Sequence, residues 1–122
     1  MISVTDEQFS DLISDAFETL PATHRDAVKN VAIVYDDDPT PEQRVKLELR
    51  HDQTLLGLYE GTPLATRQGM TSYGPDKITL FKNPICSSVQ TFPELREQIR
   101  HTLWHEIAHY FGLNHAQIHN LE

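Results

Sequence analysis

The sequence predicts a mixed α+β domain, and three observations carry that expectation. Two stretches, Thr5 to Thr19 and Phe92 to Phe111, place apolar residues at helical spacing behind capping signals. Three short apolar or β-branched runs, Val28 to Tyr35, Thr54 to Tyr59 and Lys77 to Phe81, lie between them and read as strands. Turn-forming clusters separate the runs: Asp36-Asp37-Asp38-Pro39, Glu60-Gly61-Thr62-Pro63 and Asn83-Pro84. At 122 residues the whole chain, 1–122, is expected to form one domain with a genuine core. The expected architecture is a small sheet of about three strands packed against the N-terminal helix and the later, longer one.

Thr5 to Thr19 is the clearest helix after the longer, C-terminal one. Thr5 and Gln8 make a capping box, Val4 and Phe9 can form a hydrophobic staple, and Pro21 ends the element. Phe9, Leu12, Ile13, Ala16, Phe17 and Leu20 hold one face. Val28 to Tyr35 is apolar enough to read as a strand buried on both sides. The acidic triplet after it lacks the alternating ligands and glycine of a calcium loop, so a solvated turn is expected. Thr40, Pro41 and Gln43 start a short helix, although Val45, Leu47 and Leu49 alternate as a strand would. Lys77 and Lys82 bracket the third strand as charges often bracket an edge, where an extended peptide could add as a further strand.

Composition narrows the function classes. A formal net charge of −8 argues against a polyanionic partner, because nucleic-acid binding draws its affinity from basic side chains. There is no basic region followed by an apolar stretch at the N-terminus and no apolar run long enough to cross a bilayer. The single cysteine, Cys86, rules out an intramolecular disulfide and fits a reducing compartment. A cytoplasmic protein with no membrane and no nucleic-acid partner is expected.

The chemistry concentrates near the C-terminus. His105 to His115 reads H-E-x-x-H-x-x-G-x-x-H, a pattern that shuffling this composition produces on the order of once in ten thousand sequences. On a helix, residues four apart differ by about 40° in azimuth and about 6 Å in rise, so His105 and His109 can close on one cation. Glu106 projects about 100° away, a poor direction for a third ligand but a good one for a base acting on water at the same place. Gly112 suits the left-handed conformation that ends a helix, and a reversal there could return His115 to the ion. Three imidazoles and an open position are the arrangement of a catalytic zinc site.

The surrounding helix supports this. Thr91 and Glu94 cap it, Pro93 sits in its first turn, and Leu103, Trp104, Ile107 and Phe111 form an apolar face opposite the two histidines. Arg96 and Arg100 interrupt that face, which predicts that the first turn projects beyond the core. His101 is expected to face solvent, and His24 and His51 show no partners in the sequence.

With these residues in view, the chain resembles the bacterial minimal zincin-like metallopeptidases. The resemblance runs through Leu55-Leu56-Gly57-Leu58-Tyr59-Glu60-Gly61-Thr62-Pro63-Leu64, Arg67, Asp76-Lys77-Ile78-Thr79-Leu80-Phe81 and the His105 to His115 motif. It implies a compact minimal zincin-like α+β fold, one Zn2+ held by His105, His109 and His115, Glu106 as the catalytic carboxylate, and a peptide or protein substrate. Arg67 and Tyr73 are candidates for a second electrophile. The motif also resembles that of the metzincins, but no methionine follows His115 to make the turn they carry beneath the metal.

Two rival readings remain. The three-histidine RNA-maturation endonucleases are similar in ligand spacing but have glycine where Glu106 stands, and the acidic balance disfavours RNA. A zinc-organised module that holds peptides with little turnover would keep the same ligands, since fold does not guarantee activity.

Overall fold

In the computed structural model, residues 1–46, 55–61 and 76–113 are described below. Their elements run α1 (Asp6–Glu18), α2 (Ala22–Ala27), β1 (Val31–Asp36), α3 (Pro41–Lys46), β2 (Gly57–Glu60), β3 (Asp76–Phe81), α4 (Lys82–Ser87) and α5 (Phe92–Tyr110). The result is an α+β domain around a small mixed sheet.

Local signals explain most of the helices. The Gln8 N–H donates to the Thr5 hydroxyl and the Thr5 N–H to the Gln8 side chain, closing the capping box that starts α1. The same reciprocal pair between Thr40 and Gln43 starts α3. Val45 there is 77 % exposed, and Leu47 and Leu49, the rest of the alternation that suggested a strand, lie outside the described residues. At α5 the Thr91 hydroxyl accepts from the Glu94 N–H and donates to the Glu94 carboxylate, a variant of the box in which the return bond goes to the hydroxyl.

Two helices carried no periodic signal. The α2 segment, ATHRDA, buries none of its residues, so it has no apolar stripe to read. In α4, Pro84 falls in the first turn, where a missing N–H is tolerated. Asn83-Pro84, expected as a break, is therefore a helix start. The Asn83 N–H donates to the Asp37 carbonyl and its amide to Asp38, so the acidic turn after β1 holds α4 in place.

The sheet order is β1-β3-β2, with β1 parallel and β2 antiparallel to β3. This corrects the expectation of an edge position for the third strand: β3 is central, and five of its six residues are buried. The flanking lysines have other partners. Lys77 lies 3.8 Å from Glu60 on the neighbouring strand, and Lys82 reaches Asp6 of α1 at 2.7 Å. The run from Val28, read as a strand buried on both faces, is instead an edge strand among the described residues, with alternate residues exposed. It begins at Val31 because Asn30 turns the chain with φ 62°.

The core joins α1, β3, α4 and α5 through Phe9, Leu12, Ile13, Ile78, Leu80, Ile85 and Leu95 with Ile99, Leu103 and Ile107. Leu95 and Ile99 are fully buried, so the start of α5 packs on the core rather than projecting beyond it. A straight helix drifts about 40° for each four-residue step, and the buried stripe rotates with it. Arg96 and Arg100 are thereby left in solvent. Cys86 is buried in this core as a free thiol, and burial raises its pKa.

Candidate metal centre

The last two turns of α5 carry the site. His105 and His109 are half-buried on one face, with ring centroids 4.9 Å apart and planes inclined by 75°. One imidazole nitrogen from each, together with a carboxylate oxygen of Glu106, lie within 4.8 Å of one another. This is the one group of three or more potential metal-ligating side chains among the described residues. The donor set suits a metal ion: two borderline imidazoles at helical spacing, beside an anionic oxygen.

Below α5 the helix end is built to reverse the chain. Gly112 adopts φ 89°, its N–H donates to the His109 carbonyl, and the Leu113 N–H donates to the Ala108 carbonyl. These two bonds are the Schellman pattern, which needs a residue tolerant of positive φ. His115 lies beyond Leu113 and outside the described residues, as do Arg67 and Tyr73.

Glu106 is only 7 % exposed, an unusual place for a carboxylate. It is covered by β2. A side chain at Gly57 would put its Cβ 2.7 Å from Thr102 Cγ2 and 3.3 Å from Glu106 Cγ, so the strand rests directly on the helix because residue 57 is glycine. The phase of the β2–β3 ladder then places Tyr59. The Phe81 N–H donates to the Leu56 carbonyl, so the main-chain groups of Gly57 and Tyr59 alternate away from β3. The outward Tyr59 N–H hydrogen-bonds the Glu106 carboxylate. Burial pushes the Glu106 pKa up to about 7, with the Tyr59 N–H acting in the opposite direction.

Tyr59 is anchored at both ends. Its hydroxyl donates to Asp76, 2.8 Å away and 1 % exposed, and its ring meets Tyr110 edge to face at 6.1 Å. The Tyr110 hydroxyl in turn donates to the Lys29 carbonyl at 3.1 Å. Sequence reasoning missed this support because Tyr59, Asp76 and Tyr110 are widely separated and individually ordinary. The resemblance blocks Leu55 to Leu64 and Asp76 to Phe81 contained Tyr59 and Asp76 but gave them no role. Among the described residues, neither Cys86 nor the Asp36–Asp38 turn joins a second such metal-ligating group. His24, without visible partners in the sequence, stacks on Trp104 with centroids 5.2 Å apart.

Residues 28–122 match the family described as zincin-like metallopeptidases. A conserved hypothetical protein from Thermus thermophilus shares the fold, with a TM-score of 0.58 at 19 % identity over 88 % of this chain and 94 % of that one. No curated protein matches the chain. The family match spans most of the sequence and takes in β1, β2 and the whole of α5; the chain belongs to the zincin-like metallopeptidase family.

Proposed function

We propose that the protein is a zinc-dependent peptidase in which His105 and His109, with His115 as third donor, hold the ion and Glu106 is the general base. The observation that carries this reading is the placement of a buried carboxylate within 4.8 Å of the paired imidazole nitrogens. Bound there, zinc would lower the pKa of water and polarise a substrate carbonyl. Glu106 takes a proton from the attacking water and returns it to the leaving amine. Burial raises the proton affinity of its carboxyl in the metal-free site, which suits a group that must accept a proton and give it back. The Tyr59 N–H orients that carboxylate, and the β2 frame keeps it out of bulk water.

The substrate is an extended peptide. It adds beside β2 rather than β3, since β2 is the sheet edge that borders α5 among the described residues. The net charge of −8 favours peptides over RNA as the partner. A free, buried cysteine agrees with a cytoplasmic setting, and among the described residues no helix is long and apolar enough to cross a membrane.

Substituting Glu106→Gln tests the assignment. The variant should retain one zinc per chain by elemental analysis and lose roughly 100-fold or more in peptide turnover, the usual scale for removing a general base. Undiminished cleavage would exclude Glu106 as the base.

A further inference from the structure

A cavity of about 530 Å3 opens beside α5 and is not used by the site described above. Among the described residues, its apolar lining comes from Leu20 and Pro21 at the α1–α2 corner and from Trp104 of α5. His24 of α2 completes that wall, stacked on the indole with an interplanar angle of 19°. Among the described residues the buried His24 Nδ1 has no hydrogen-bond partner, so stacking rather than a polar network sets this ring. Glu97, Arg100 and His101 form the exposed rim, and the first two are ion-paired with each other. In a chain of net charge −8 this is a locally balanced hollow with one aromatic wall, Trp104 and His24, beside the aliphatic Leu20 and Pro21. Its volume is within the range of small-ligand pockets.

Its position relative to the metal pair follows from helix geometry. Glu106 projects about 100° to one side of His105, and Trp104 projects about 100° to the other. The histidine face is therefore flanked by β2 on one side and by the cavity on the other. His101, on the rim, precedes His105 by one turn, about 6 Å along the axis. β2 and α5 also advance together, since Gly57 meets Thr102 and Glu106 while Tyr59 meets Glu106 and Tyr110. A peptide lying along the outer edge of β2 thus runs along α5. At about 3.3 Å per residue, one helical turn equals two peptide residues, and alternate side chains point out of the sheet plane towards the helix.

We propose that this cavity receives an aromatic side chain of the peptide lying over His105 and His109, two residues from the bond attacked. The proposal rests on the peptidase reading for its register, but the hollow and its occupant can be tested without turnover. Trp104 is the only tryptophan in the chain, so intrinsic fluorescence reports directly on the cavity.

The experiment titrates the zinc-loaded protein with blocked alanine hexapeptides carrying one phenylalanine, walked through each position, and follows Trp104 emission and cleavage together. A saturable emission change is expected, with at least tenfold tighter binding for phenylalanine peptides than for the all-alanine peptide. Cleavage should favour phenylalanine two residues from the cut. His101→Phe and Glu97→Phe, which fill the rim from exposed positions one turn apart, should each abolish the preference, so that phenylalanine and all-alanine peptides bind alike. Saturable, phenylalanine-selective binding without cleavage of any peptide would overturn the peptidase reading and uphold the cavity; saturable binding without that selectivity would overturn the cavity. Cleavage that treats phenylalanine and alanine alike, or an emission response unchanged in both filled variants, would overturn the cavity and leave the peptidase reading intact. Absence of both binding and cleavage would overturn both.

Discussion

Helix α5 meets its surroundings in two opposite ways. Into the core it shares with α1, β3 and α4 it presents Leu95, Ile99, Leu103 and Ile107, all fully buried and apolar. Towards β2 it presents Thr102, Glu106 and Tyr110, which are equally hidden from solvent but polar. The first contact removes hydrocarbon from water and stabilises the fold. The second buries a carboxylate, which costs stability whenever that group is charged. A single helix therefore separates the residues that hold the domain together from those that give it chemistry. Changes on one face should affect stability, and changes on the other should affect activity.

The largest separation is expected from Leu103→Ala, which should destabilise the protein by about 2–5 kcal/mol. Urea unfolding would measure this, and the fraction that remains folded should still take up zinc. A loss of metal affinity in that folded fraction would show that the two faces are coupled.

The polar face should reveal itself through pH. In the metal-free protein the Glu106 pKa is raised from 4.5 to about 7, so the folded state binds more protons than the unfolded state between those values. Stability from this group is complete below about pH 4.5 and is lost as pH rises through 7. The loss is on the order of 3 kcal/mol at most. Glu106→Gln should flatten this part of the stability–pH profile relative to the wild type. An identical slope in the two proteins would mean that the buried carboxylate does not titrate as described.

A smaller effect is expected where the strand touches the helix. Gly57→Ala places a methyl group 2.7 Å from Thr102 Cγ2, and overpacking of this kind costs about 1–3 kcal/mol. Because β2 must lift, turnover should fall by more than the stability loss explains. Equal activity per folded molecule would show that the contact of Tyr59 with Glu106 survives the shift. The smallest change should come from Lys82→Ala, which removes the ion pair with the exposed Asp6 carboxylate. Such pairs contribute about 1 kcal/mol or less, and neither metal uptake nor turnover should respond.

The two faces were unequally legible in the sequence. Apolar periodicity marked Leu103 and Ile107 as buried, and capping chemistry located the starts of α1 and α5. Both signals arise from interactions within a few residues. The start of α5 was misjudged because Arg96 and Arg100 occupy the azimuth of the later apolar face, while the buried stripe drifts onto Leu95 and Ile99. The α2 helix was invisible for a related reason: it buries none of its residues and so leaves no pattern. The central position of β3 was hidden because Lys77 and Lys82 resemble edge guards until their partners, Glu60 and Asp6, are known.

By itself the sequence determined that a helix near the C-terminus would carry two imidazoles and a carboxylate at metal-binding spacing, followed by a glycine turn. Helical geometry is local, and 3.6 residues per turn fix those directions whatever the helix packs against. Only the tertiary structure decided that Glu106 is buried, that a glycine strand covers it and that the Tyr59 N–H meets its carboxylate. It also decided that a cavity lies on the opposite flank. Burial and dielectric depend on which distant segments come together, and no spacing rule within the motif encodes that.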